Sequence, residues 1–258
     1  MSKLFAPIYF IYKLWIGLVF WLTLLLLYPV FWVLLSRERW FKAAFQMKRV
    51  WSRLFQWFLF CPVKPVFSAP LPKGPYIIVS NHSSYLDTVF MYSVFPDYFL
   101  FIGKGELLKW PLFGLFFRKQ DIPVHRENGR EAWKSLQKAY DAIDQGACIA
   151  MYPEGTIPDY APRMKAFKNG AFKMAIDKQV PIVPVTWIQN YRIMKDPACL
   201  FEYSLPAVVM VHVHEPINCK GLTDEDLVNL RTRVFETIDG TLPPQFRKTA
   251  YDNRKQEH

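Results

Sequence analysis

The residues best suited to do chemistry stand where a short apolar run gives way to polar ones: YIIVSNHSSYLD, residues 76–87, carries His82 and, five residues on, Asp87. Residues five apart on a regular helix lie about 140° out of register, so these two side chains meet only if His82 precedes a helix and Asp87 falls in its first turn. Ser83 or Ser84 can cap such a helix. The carboxylate would then fix one imidazole nitrogen, leaving the other to accept a proton from an alcohol. No Ser or Cys lies in a G-x-S-x-G context, so the pattern describes a general base without a covalent nucleophile. On spacing alone, a capped helix with a structural histidine is the competing reading.

Further along, Glu154, Gly155 and Thr156 follow an apolar run and offer a carboxylate, exposed backbone N–H groups and a hydroxyl, a set that suits a polyhydroxylated ligand. Arg126 can grip a phosphate with two parallel hydrogen bonds. Lys104, Lys165 and Lys168 are further phosphate candidates. Each also has a plainer reading, as a turn closing a strand, a surface arginine or solvated lysines.

The elements that must position these groups are short apolar runs alternating with helical patterns, which predicts an α/β domain with a mixed sheet flanked by helices. Strands are expected at 76–80, 98–102, 121–125, 147–151, 181–187 and 207–214. The segment 128–144 reads as a helix, with Trp133, Leu136, Tyr140 and Ile143 on one face and Gly146 as its stop. Thr223 with Asp226 forms a capping box that opens the last helix. Residues 76–246 make up this domain, 62–75 a Pro-rich linker and 247–258 a polar tail.

Ahead of the domain lies a different texture. Residues 14–35 are 22 residues without a charge. As a helix they extend about 33 Å, the thickness of a hydrocarbon core. Over 40–60, Lys42, Gln46, Arg49, Arg53 and Gln56 recur at helical spacing amid aromatic residues, the pattern of a basic helix lying on an anionic membrane surface. The formal net charge is +10, and residues 1–75 hold ten of the Lys and Arg against one acid, Glu38, which leaves the rest nearly neutral. Residues 1–61 are therefore expected to form a membrane-embedded helix pair, with the following domain facing the cytoplasm of a cytoplasmic membrane. The four cysteines are far apart, as suits free thiols in a reducing compartment.

Taken in order, these features resemble the glycerolipid acyltransferase family, in particular the lysophosphatidate acyltransferases, over residues 74–216. NHSSYLD is similar to the family's HxxxxD block, which implies His82 as base and Asp87 as its orienting partner. KGELLKWPLFG with IPVHR, residues 104–114 and 122–126, resembles the second block and implies Arg126, with Lys104, at the substrate phosphate. YPEGT, residues 152–156, resembles the third and implies that Glu154, Gly155 and Thr156 hold the glycerol phosphate. VPIVPV, residues 180–185, resembles the fourth, an apolar strand shaping the site. Ile157 stands where the third block has Arg, so one phosphate contact is missing, with Arg163 or Lys165 as candidate replacements. Gln120 and His125 stand where the second block has Gly and an acid.

The resemblance implies acyl transfer from acyl-CoA or acyl carrier protein to 1-acyl-sn-glycerol-3-phosphate, or to a related lysolipid, without cofactor or metal and with no nucleic-acid partner. A noncatalytic lipid-binding protein on the same fold is the alternative from another class.

Overall fold

A computed structural model of the chain describes residues 5–124 and 129–248. The helices are α1 (Ala6–Leu34), α2 (Phe41–Phe58), α3 (Leu86–Val94), α4 (Gly114–Lys119), α5 (Gly129–Asp144), α6 (Gly170–Lys178), α7 (Tyr191–Met194) and α8 (Leu227–Asp239). The strands are β1 (Val63–Phe67), β2 (Ile77–Ser80), β3 (Phe99–Lys104), β4 (Ile122–Val124), β5 (Cys148–Met151), β6 (Ile182–Trp187) and β7 (Val209–Val213). They form one mixed sheet in the order β1-β7-β6-β2-β5-β3-β4, parallel except where β7 runs antiparallel to β6. The fold is the expected one, an α/β sheet flanked by helices.

Parallel strands need both faces covered, which is why β2, β5 and β6 read as unbroken apolar runs. Ile78, Ala150 and Val185 face a core built with α1, α2, α3 and α4. Ile77, Ile149 and Ile182 face a second core built with α5, α6 and α8. The capping box expected before α8 is formed, with Thr223 N donating to Asp226 Oδ2 at 2.9 Å.

Residues 63–67, expected within the linker, are instead an added strand. β1 is the outermost strand and pairs only with β7, so Pro65 has an open side on which its missing N–H costs no ladder bond.

The N-terminal helices are an integral layer of the domain. α1 begins at Ala6, before the uncharged run, and is long and apolar enough to cross a bilayer by length and composition. One of its faces is nevertheless buried from end to end, through Tyr12, Ile16, Val19, Leu24 and Phe31, against α2 and the α4 region. Its other faces expose Leu14, Leu18, Leu22, Leu25, Leu26 and Trp32. On α2, Lys42, Gln46 and Arg53 are exposed as expected, but Gln56 is inside, where it donates to Ser93 Oγ at 2.7 Å. Lys48, off that stripe, is 1% exposed and forms a 3.0 Å ion pair with Asp121.

Candidate active site

β6, β2 and β5 are neighbours and run parallel, so their carboxyl ends open onto the same edge of the sheet. Ligands in open α/β sheets bind at that edge. His82 follows β2, Tyr152 and Glu154 follow β5, Asn190 follows β6, and Lys104 ends β3. Asn81 ties two of these ends together: its Nδ2 donates to Trp187 O at 3.0 Å and its Oδ1 accepts from Trp187 N at 2.8 Å.

His82 lies before α3 and Asp87 in its first turn, in the arrangement their spacing demands. His82 Nδ1 is 3.0 Å from Asp87 Oδ2. That oxygen also accepts the amides of Ser83 at 2.7 Å and Ser84 at 2.9 Å, while Oδ1 accepts from Asn190 Nδ2 at 2.7 Å. Asp87 is fully buried, and these donors stand in for the water it has lost. They replace a simple serine cap, although Ser84 Oγ does accept from Leu86 N at 3.1 Å. With every partner of Asp87 a donor, Nδ1 carries the imidazole proton and Nε2 is left to accept one. The imidazole stacks on the Tyr152 ring, 4.0 Å between centroids and 13° between planes.

Glu154 does not face the ligand space. It is 3% exposed, and its two oxygens accept the backbone amides of His82 at 2.7 Å and Lys165 at 2.8 Å. Burial pushes its carboxyl up to about 8. The positive φ of Gly155, 78°, lets the chain reverse at once, so that Glu154 turns inward while Thr156 lines the site.

A cavity of about 1150 Å³ extends from His82. Its lining includes the polar groups of Lys104, Gly155, Thr156 and Lys195 together with the apolar side chains of Leu18, Phe20 and Trp21 of α1 and of Phe101, Phe113 and Phe117. Thus His82, Lys104, Gly155 and Thr156 share one space, while Asp87 and Glu154 support it from behind. Arg126 lies outside the described residues. Neither Arg163, which donates to Gln245 O at 3.3 Å, nor Lys165 lines the cavity. Among the described residues there is no cluster of metal-ligating side chains.

Sequence reading missed Asn190, Tyr152 and Lys195. Tyr152 had a signal, since it sits at the carboxyl end of an apolar run next to Glu154; Asn190 had a weaker one, a polar residue just past another such run.

A family model described as acyltransferase matches residues 63–188. The chain is 32% identical over 178 residues to 1-acyl-sn-glycerol-3-phosphate acyltransferase alpha of Mus musculus, covering 65% of this chain and 58% of that one, so it spans little more than half that relative's length. It is 30% identical over 208 residues to a probable 1-acyl-sn-glycerol-3-phosphate acyltransferase of Mycoplasma pneumoniae, covering 76% of this chain and 77% of that one. The fold matches the crystal structure of the 1-acyl-sn-glycerophosphate acyltransferase of Thermotoga maritima with a TM-score of 0.72 at 22% identity, over 92% of this chain and 95% of that one. With 30% identity over 76% of this chain and 77% of the Mycoplasma pneumoniae relative, and with the family model matching the same region, the chain belongs to the acyltransferase family that includes the 1-acyl-sn-glycerol-3-phosphate acyltransferases.

Proposed function

We propose that this protein transfers a fatty acyl group from a thioester to the free hydroxyl of 1-acyl-sn-glycerol-3-phosphate, forming phosphatidate. The observation that carries the reading is His82, held through Nδ1 by a buried carboxylate beside a cavity lined by both polar and apolar side chains. His82 Nε2 takes the hydroxyl proton as the oxygen attacks the thioester carbonyl. Asp87 steadies the imidazolium. Collapse of the tetrahedral intermediate breaks the C–S bond, and the proton passes from His82 to the departing thiolate. Thr156, Gly155 and Lys104 are assigned to the glycerol phosphate, with Arg126 as a further phosphate ligand. The apolar side chains of the lining are assigned to acyl chain.

The donor, acyl-CoA or acyl carrier protein, reaches the site from the cytoplasm and the lysolipid from the membrane. The exposed apolar faces of α1 and α2, together with Arg37, Arg39, Lys42 and Arg53 after α1, support association with an anionic bilayer and a cytoplasmic position for the sheet.

Purified protein in anionic vesicles, given lysophosphatidate and either donor, is expected to release free thiol and form phosphatidate by mass spectrometry. His82→Ala is expected to lower turnover about a hundred- to ten-thousand-fold. A variant turning over at the wild-type rate removes His82 from the mechanism, and a panel of other lysolipids tests the acceptor.

A further inference from the structure

We infer that Lys195 is a phosphate-binding residue of this site, acting with Lys104 on the acceptor's head group; the inference rests on the acyltransferase reading above. A phosphate monoester brought to His82 needs cationic donors. Among the described residues, the Lys and Arg side chains lining the cavity are Lys13, Lys104 and Lys195. Lys13 is 5% exposed and already donates to the carbonyls of Asp196, at 3.3 Å, and Cys199, so it fastens α1 to that loop. Lys104 is exposed at the end of β3 and has no ion-pair partner among the described residues.

Lys195 follows α7 directly. Its Nζ donates to the backbone carbonyl of Asp159, two residues beyond Ile157 in the loop that leaves Gly155 and Thr156. An ammonium has three donors, so two remain for phosphate oxygens. The segment that carries Lys195 is indexed to the base: Asn190 holds Asp87 Oδ1 at 2.7 Å, and Ser84 Oγ donates to Met194 O at 2.5 Å. The ammonium therefore has a fixed address relative to His82, on the loop where Ile157 supplies no charge.

The same cavity carries the carboxylates of Glu106, Asp159, Asp196 and Glu202. Asp196 Oδ1 is occupied by the Ala198 amide at 2.8 Å. An anion entering among the other acids is repelled except where the two lysines hold it, so the loss of either one is felt in acceptor binding.

The test compares wild type, Lys195→Met and Lys195→Arg with lysophosphatidate, acyl-CoA and glycerol 3-phosphate as a competing head group. A charge-assisted hydrogen bond of ordinary strength predicts a KM for lysophosphatidate raised about tenfold or more in Lys195→Met, with glycerol 3-phosphate inhibition weakened in parallel. The KM for acyl-CoA and the melting temperature stay at wild-type values, and Lys195→Arg restores most of the loss. Unchanged acceptor KM and inhibition in Lys195→Met overturn the inference, as does an equal rise in both KM values, which marks a structural role. If Lys195→Met does not fold, Lys195→Gln and Lys195→Arg are compared by the same criteria. Wild-type protein that forms no phosphatidate sinks the acyltransferase reading and this inference together, whereas active wild type with an indifferent Lys195→Met sinks the inference alone.

Discussion

The backbone amide of His82 donates to Glu154 Oε1 at 2.7 Å, while the other oxygen of that carboxylate takes the Lys165 amide at 2.8 Å. A single buried acid thus joins the turn after β2 to the loop after β5, and the backbone of His82 is held by a carboxylate that does not line the cavity. Glu154→Gln replaces one acceptor oxygen with an NH2 that faces a backbone N–H. The expected result is a loss of about 1–3 kcal/mol in stability and a fall in kcat of at least about tenfold. Unfolding and turnover measured on the same preparation check both.

Burial raises the Glu154 carboxyl from its ordinary 4.5 to about 8, so folding favours its protonated form. The stability linked to that proton is fully present below about pH 4.5 and is lost as pH rises through about 8. Melting temperature is therefore expected to decline between pH 5 and 9 more steeply in wild type than in Glu154→Gln. Parallel curves in the two proteins would contradict the assignment.

Asp87 Oδ2 accepts from three donors and Oδ1 from Asn190. Asp87→Asn must turn an NH2 toward one of these sets, which either disrupts the wrap of α3 or reverses the imidazole tautomer. Turnover is expected to drop about a thousand- to ten-thousand-fold with the fold retained, by analogy with the orienting aspartate of a hydrolase triad. Asn190→Ala, which removes only the support of Oδ1, is expected to cost about tenfold. Thiol release by both variants, with circular dichroism as the control for folding, tests this order of effects.

The side chains of Lys48 and Asp121 are each 1% exposed, and Asp121 Oδ1 also accepts the Phe101 amide at 3.0 Å. Lys48→Met leaves a buried carboxylate without its counter-charge and is expected to destabilise the protein by about 3–5 kcal/mol. Lys48→Met with Asp121→Asn keeps an acceptor for Phe101 without the charge and is expected to recover much of that loss. A double variant no more stable than Lys48→Met would show that packing, not charge, sets the cost.

Leu18, Leu25 and Trp57 are 57%, 58% and 70% exposed on the helical layer. Converting Leu25 or Trp57 to Glu is expected to weaken flotation with anionic vesicles while turnover of detergent-dispersed substrate persists. Unaltered flotation would move the membrane contact elsewhere on the molecule.

His82 with Asp87 was legible because the contact is local: strand, corner and first helical turn all follow from a dozen consecutive residues. β2, β5 and β6 were legible because strands covered on both faces are written as apolar runs, and β7 because its buried valines at 209, 211 and 213 alternate with half-buried residues. β1 was hidden because Pro65 and the prolines on either side of the strand read as a linker, and only its outermost place in the sheet makes Pro65 tolerable. On α2, periodicity identified a polar stripe but could not choose which face of an otherwise greasy helix packs inward. It thus placed Gln56 outside and gave no sign that Lys48 was buried. Asn190 and Glu154 act across 103 and 72 residues of chain, distances at which spacing carries no information and only strand order does.

The packing of α1 makes one helix serve two sides of the molecule. Tyr12, Ile16, Val19, Leu24 and Phe31 lock it to the core, Leu18, Phe20 and Trp21 line the space that also holds His82, and Leu18 is at the same time 57% exposed. The partition between that space and the outside is therefore one helix thick, so a change on its outer surface is transmitted to the inner one.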